Sequence, residues 1–399
     1  MKGRLLPHAY DMDVVIAGAG PAGLAAAEAI AKAGCSVTVF ERNHEIGSPI
    51  RTSGGSFIDE LDALGIPDYL YHPISRVRFL SPNNAAYYNY QNPKFCVIDV
   101  RGVFQFLAGR ATEAGAQIRL GSSVDAPLIE DGVVTGVQTK TEIIRARVVL
   151  DATGYHAVLL KQAGLDPGIR RFGVGAEYDL YAPHCDPSEV VMLVGGDLAP
   201  SGYAWVFPWG RNRVRVGVGI IHPDSKANPQ DYLDRLVAGL GRFQVDLRGA
   251  QPIEHHSGLI PSECYAAPFT GDGIMGVGDA AGHASSLLGE GIRWAIQAGQ
   301  MAGEVAARAV KRGDTSHRVL HEFEKTWIKR YGKDLRLAHK INERISRWDD
   351  QKWDQRMDIL KLLTPDQFVE ALKTNLTSTW LLRFLTKNPK ALAEAAGII

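Results

Sequence analysis

The chain has 399 residues, 45% hydrophobic and 22% charged, with 44 Lys and Arg balancing 44 Asp and Glu. That length exceeds one typical core and calls for two or three domains, while zero formal net charge excludes the global basic field of a nucleic-acid binder. Cys35, Cys96, Cys185 and Cys264 are scattered without a Cys-x-x-Cys pair, which argues against a disulfide framework or a zinc site and assigns no metal.

The N-terminus lacks a long apolar core, and no apolar run approaches about 18 residues. The expectation is a cytoplasmic protein that is neither exported nor membrane-spanning, with peripheral membrane contact and self-association left open.

In chain order, Asp13-Val14-Val15-Ile16-Ala17-Gly18 predicts a short buried strand that runs into Gly18-Ala19-Gly20-Pro21-Ala22-Gly23. An Ala-rich helix follows to about Ala33, then a second strand from Ser36 to Phe40 that ends at Glu41 and Arg42. This is the order of a dinucleotide fingerprint. Gly18 makes the tight turn, Gly20 lets the backbone approach a pyrophosphate, and Gly23 permits close helix–strand packing. The helix N-terminus offers free N–H groups to phosphates. Glu41 is placed to accept from ribose hydroxyls, which favours FAD or NAD over NADP.

Val100-Arg101-Gly102-Val103-Phe104 predicts the start of an amphipathic helix, and Arg101 there is a cation within reach of a phosphate or ribityl oxygen. Val148-Val149-Leu150-Asp151-Ala152-Thr153-Gly154 reads as a strand entering a small-residue turn. Downstream, Gly273 to Gly278 predicts a strand that ends at Asp279. Gly289-Glu290-Gly291-Ile292 then opens a long helix to about Arg312, with small residues at Ala295, Ala298, Gly299, Ala302 and Gly303. A strand-end Asp suits a ribityl hydroxyl, and N–H groups near Gly291 and Ile292 suit negative charge on a reduced flavin. NAD sites need no such second half, so the pair of motifs points to FAD.

The fold class expected is α/β: a Rossmann-type FAD-binding domain, an antiparallel β-sheet substrate domain and a C-terminal helical region. The flavin domain is expected to be discontinuous, over 1–75, 96–170 and 265–315. Alternating patterns such as Arg213-Val214-Arg215-Val216-Gly217-Val218-Gly219-Ile220 assign 76–95 and 171–264 to the substrate sheet. Residues 316–399 are rich in helix formers and carry Trp327, Trp348, Trp353, Trp380 and the apolar cluster Leu381 to Leu385. This tail reads either as a lid on an apolar cavity or membrane surface, or as a helical cap or dimer face.

On these residues the chain resembles the geranylgeranyl reductase family within the para-hydroxybenzoate hydroxylase-like flavoproteins, over roughly 12–310. The discriminating segment is Gly202-Tyr203-Ala204-Trp205-Val206-Phe207-Pro208, which resembles the Tyr-x-Trp-x-Phe-Pro motif that lines a prenyl cavity. Alternation sets Tyr203, Trp205 and Phe207 on one strand face, a suitable wall for a slender apolar ligand. The resemblance implies FAD contacts at Ala22, Glu41, Arg101, Asp279, Gly291 and Ile292, and a backbone contact to adenine at Val124. The stretch Gly47 to Gly55, with Thr52, Ser53 and Gly55, resembles the loop that approaches the flavin. Thr52 stands where many members have Cys, and Ser286 where Pro is common.

The function implied is hydrogenation of isolated C=C bonds in a polyprenyl chain, with electrons from an external donor such as a ferredoxin or a reduced nicotinamide. The substrate implied is a prenyl lipid or prenyl diphosphate. No residue stands out as the proton donor: Thr52, Ser53 and Tyr203 carry hydroxyls, a water serves equally, and His255, His256 and His283 read more simply as structural. Two rival readings are a flavin monooxygenase and a non-catalytic prenyl carrier. A halogenase reading ranks below them, because the first Trp and the Ile of its Trp-x-Trp-x-Ile-Pro pattern are missing.

Overall fold

The computed structural model describes residues 10–210 and 212–375; Trp380 and the Leu381 to Leu385 cluster lie outside them. The strand Met12–Ala17, whose last four residues are fully buried, pairs in parallel with Val37–Phe40 on one side and Ile143–Asp151 on the other. Gln117–Arg119 and Ile274–Gly276 extend this parallel core outward. Strands buried on both faces read as continuous Val/Ile runs, and Val14, Val15, Ile16, Val148 and Val149 are fully buried.

Two helices pack on this sheet as a close pair, Pro21–Lys32 after the first strand and Ile292–Arg312 far downstream. A Cβ built on Gly299 would lie 2.1 Å from the Ala22 carbonyl oxygen, and one on Gly303 would lie 2.6 Å from that of Ala26. The small residues of the second helix therefore serve helix–helix contact. Gly18 adopts φ +109°, and a Cβ there would lie 2.2 Å from the Ala152 carbonyl oxygen. Only glycine allows that turn to pass so close to the neighbouring strand.

The second sheet has seven strands, ordered Gln251–Pro261, Phe172–Tyr181, Arg213–His222, Ala199–Gly210, Glu189–Gly195, Arg76–Leu80 and Ala85–Asn89. It departs from the antiparallel expectation at one place: Glu189–Gly195 pairs in parallel with Arg76–Leu80. The hairpin 76–89 enters from a distant part of the chain, so no tight turn fixes its direction. Val214, Val216, Val218 and Ile220 form one face and pack with Leu233 and Leu236 of helix Pro229–Gly239.

The C-terminal helices divide between the two sheets. Helix His317–Ile345 sends Leu320, Phe323 and Trp327 into the core of the parallel-sheet unit. Helices Asp350–Leu360 and Pro365–Leu372 pack Trp353, Met357, Phe368 and Leu372 against the second sheet, where Phe368 stacks on Tyr88 with ring centroids 3.9 Å apart. Among the described residues no helix is long and apolar enough to cross a membrane.

His283 is enclosed by Phe269, Phe323 and Trp327, with ring centroids 4.9, 5.8 and 4.3 Å away. Neither ring nitrogen has a hydrogen-bond partner among the described residues. Burial pushes its pKa from 6.5 down to about 3. A histidine depressed in this way stabilises the fold above its unfolded pKa, and that contribution is lost as pH falls toward the folded value. Protonation in the unfolded chain should therefore cost the fold about 2 kcal/mol by pH ~5. Urea unfolding of His283→Phe across pH 4–7 should show a correspondingly flatter acid limb; an unchanged limb would remove His283 as the cause.

Candidate flavin and substrate site

The second sheet sets one transverse row of side chains toward the parallel-sheet unit. Register aligns His256 with Glu177, Glu177 with Gly217, Gly217 with Trp205, Trp205 with Met192, and Met192 with Phe79. Gly217 is the gap in this row. A Cβ there would lie 2.2 Å from Trp205 Cζ2, and one at Gly219 would lie 3.3 Å from Cζ3. The indole thus lies across the bare backbone, and its Nε1–H donates to Glu177 Oε2 at 2.7 Å. Tyr203 and Phe207 flank it at centroid distances of 5.5 and 6.1 Å, which makes the expected aromatic ladder. The Tyr203 hydroxyl donates to the Leu288 carbonyl at 2.5 Å and fastens the ladder to the loop before Gly289.

Arg215, on the same strand as Gly217, has no exposed surface. It donates to the carbonyls of Ser53 at 2.8 Å and Ile98 at 3.0 Å and reaches Asp179 at 3.4 Å. This guanidinium ties the loop at 47–55 to the substrate sheet, and sequence reasoning missed it. So were Glu177, Gly217 and Gly219 missed as site residues. The available signal was Gly-x-Gly and an alternating Arg within a strand, residues that weaken or cost a strand unless something occupies their face.

A cavity of about 1110 Å³ joins both units. From the nucleotide side it is lined by Gly20, Ala22, Arg42, Thr52, Ser53, Asp279, Gly289, Gly291 and Ile292, and from the sheet by Tyr203, Trp205, Glu177 and His256. Its far wall comes from the C-terminal helices, including Ile341, Ile345, Trp348, Trp353, Leu363 and Phe368. A smaller cavity of about 70 Å³ lies beside it, lined by Gly55, Phe207 and Leu372 among others.

Other expected residues sit outside both cavities. Gly18 and Gly23 act through packing; a Cβ at Gly23 would lie 2.1 Å from the Gly18 carbonyl oxygen. Glu41 accepts from the backbone N–H groups of Ala19 and Asn43, each at 2.9 Å, at the end of the second strand. Arg101 lies between Glu45 and Glu254, at 3.8 and 3.6 Å. Val124 is a strand residue paired with Thr139. Strand alternation turns Pro208 to the face shared by Ala204 and Val206, away from the ladder.

The nucleotide-side residues fit FAD on three observations. A Cβ at Gly20 would meet nothing within 4 Å, so the turn presents open backbone to the cavity. The helix that begins at Pro21 has no side-chain cap, which leaves its N–H groups for an anion. Asp279 makes no side-chain hydrogen bond among the described residues, and burial pushes its carboxyl up from 3.8 to about 6. A carboxyl raised by burial favours folding at low pH and opposes it as pH rises through the folded value. Asp279→Asn should therefore raise the melting temperature of the flavin-free protein at pH 7.5. It should also weaken flavin binding about tenfold or more, since a hydrogen bond to a charged group contributes about 1.5–3 kcal/mol. Flavin titration and thermal melts at pH 5 and 7.5 separate the two effects; parallel changes would discard the assignment.

A family model described as geranylgeranyl reductase catalytic domain matches residues 172–258, and one described as FAD dependent oxidoreductase matches 13–173. Digeranylgeranylglycerophospholipid reductase 2 of Methanopyrus kandleri is 32% identical over 91% of this chain and 95% of its own. The digeranylgeranylglycerophospholipid reductase of Methanosphaerula palustris is 31% identical over 96% and 97%. The chain belongs to the geranylgeranyl reductase family. It is an FAD-dependent oxidoreductase, and its cofactor is FAD. A solved geranylgeranyl bacteriochlorophyll reductase-like protein from Thermoplasma acidophilum superposes with a TM-score of 0.85 at 26% identity, covering 97% of this chain and 99% of that one. A flavin-dependent brominase shares the fold at a TM-score of 0.69 and 19% identity, covering 91% and 93%.

Proposed function

We propose that this family member hydrogenates C=C bonds of geranylgeranyl chains carried on an archaeal-type glycerophospholipid, and that Gly20, Ala22, Arg42, Thr52, Ser53, Asp279, Gly289, Gly291 and Ile292 hold the flavin. The observation that carries the reading is the continuity of the cavity: the aromatic ladder and the nucleotide-side residues line one space, with the C-terminal helices as its far wall. Reduced FAD supplies a hydride at such a site. The protein's part is to hold a slender alkene beside it with water excluded, because positioning in a dry cavity lowers a barrier that an unactivated alkene would otherwise keep high.

Lys340, Arg344 and Arg347 also line the cavity where helix His317–Ile345 ends. Cations at that end suit an anionic headgroup, with the chains directed toward Trp205. Such a substrate resides in a bilayer, so the reading includes transient contact with a membrane surface. Electrons come from an external donor, a ferredoxin or a reduced nicotinamide.

The test is anaerobic. The reduced protein is mixed with a digeranylgeranyl glycerophospholipid, with geranylgeraniol as a headgroup-free control. Lipid-driven reoxidation, with product mass rising by about two per bond and a weaker response to the alcohol, supports the reading. Reoxidation by oxygen alone would replace it with a monooxygenase, and a purified protein without a flavin spectrum would replace it with a carrier.

A further inference from the structure

The row that seats Trp205 continues as a chain of ionisable groups to the rim. Glu177 Oε1 lies 3.0 Å from His256 Nδ1, and His256 Nε2 lies 3.1 Å from Glu254 Oε2. Glu177 and His256 are 3% and 5% exposed, whereas the Glu254 side chain is 35% exposed and faces Arg101. Glu177 and His256 both line the cavity.

We propose that Glu254, His256 and Glu177 form a proton relay that supplies the proton added to the substrate's double bond. The inference rests on the reductase reading above. It differs from the expectation that His256 is merely structural, and the reason is its two partners. An imidazole set between two carboxylates donates from both nitrogens, so it is held as imidazolium. Burial opposes that charge, but the hydrogen bonds it donates to Glu177 and Glu254 and the charge of Glu177 outweigh it, and its pKa is raised. Arg215, from the strand Arg213–His222 on the far side of Glu177's strand, bears on the same group and works the other way. Arg101 and Arg213 bear on Glu254, and Asp179 is taken up by Arg213 and Arg215. His255 points to the other face, toward Gln230 and Tyr178.

A hydride, with both electrons, would come to one alkene carbon from reduced FAD held by the nucleotide-side residues. Glu177 rests as a carboxylate, draws the Nδ1 proton of His256 and passes it to the other carbon, where the alkene's π pair forms the C–H bond. Glu177 is thereby a carboxylate again, and His256 is left neutral. A ring flip then presents its remaining N–H to Glu177, and solvent protonates the freed nitrogen through Glu254. The Trp205 N–H bond keeps the second Glu177 oxygen occupied and aims the first at His256.

Glu177→Gln separates relay from scaffold. Gln retains an acceptor for the Trp205 N–H but carries no exchangeable acid proton. With wild-type lipid reduction established, this variant is expected to load flavin normally and keep its tryptophan emission and lipid KM. Its kcat should fall on the order of 100-fold, within the range of general acid catalysis. The high-pH limb of wild-type kcat should vanish in His256→Asn, and formate should partly restore Glu177→Ala. An unchanged kcat and pH profile in Glu177→Gln and His256→Asn, with lipid reduction intact in the wild type, overturns the relay alone. A wild type that never reduces the lipid overturns the relay and the reductase reading together. If Glu177→Gln loses its flavin spectrum, His256→Asn decides through its pH profile and solvent isotope effect.

Discussion

Gly217→Val is expected to slow lipid-driven flavin reoxidation about 100-fold while leaving the flavin bound. The backbone at this position tolerates the change: it lies within strand Arg213–His222, and a β-branched residue suits a strand. What it cannot accommodate is the indole. A Cβ alone would lie 2.2 Å from Trp205 Cζ2 and 2.4 Å from Cε2, so the ring must leave the gap and surrender its bond to Glu177. A reacting geometry displaced by about 1 Å costs on the order of 10²-fold in rate. Stopped-flow reoxidation and tryptophan emission report the two consequences separately. Unchanged values of both would show that the gap at Gly217 does not seat the ring.

Gly299→Ala sets helix propensity against packing. Propensity alone favours Ala in a helix interior by about 1 kcal/mol. The new Cβ would lie 2.1 Å from the Ala22 carbonyl oxygen and 2.9 Å from its carbon, and these are backbone atoms that no side-chain rotation relieves. Overpacking of this kind costs up to about 3 kcal/mol, so packing wins and a net loss of up to about 2 kcal/mol in urea unfolding is expected. Flavin affinity should fall as well. Ala22 and Ile292 lie on the two helices and line the cavity from different parts of the chain, so forcing the helices apart pulls the two halves of the flavin site apart. A more stable variant with full flavin occupancy would overturn this account of the helix pair.

The tail is similarly double in role. Its first helix supplies Leu320, Phe323 and Trp327 to the core of the parallel-sheet unit, while Ile341, Ile345, Trp348 and Trp353 face the cavity. A truncation near Asp314 therefore removes core as well as cavity wall, and point changes at Ile345 or Phe368 test the wall alone.

Elements with local signals were legible in the amino-acid order. The turn Gly18 to Gly23 announced itself because a tight turn, a close backbone approach and close packing each exclude a side chain at a fixed spacing. The helix from Ile292 and the strand ending before Asp279 followed from the same kind of pattern, and Tyr203, Trp205 and Phe207 shared a face because strands alternate. Tertiary structure decided what each face meets. In the strand Arg213–His222 alternation shows two faces, and structure shows both covered: the Val face by helix Pro229–Gly239, and the Arg/Gly face where Arg215 is fully buried against the loop carbonyl of Ser53. Gly217 has meaning only through Trp205 on the neighbouring strand. His256 acquires a role only because register sets it beside Glu177, 79 residues away in the chain. Local pattern fixes the periodicity of a segment, but the partner on its buried face comes from distant sequence, and neither spacing nor composition records that pairing.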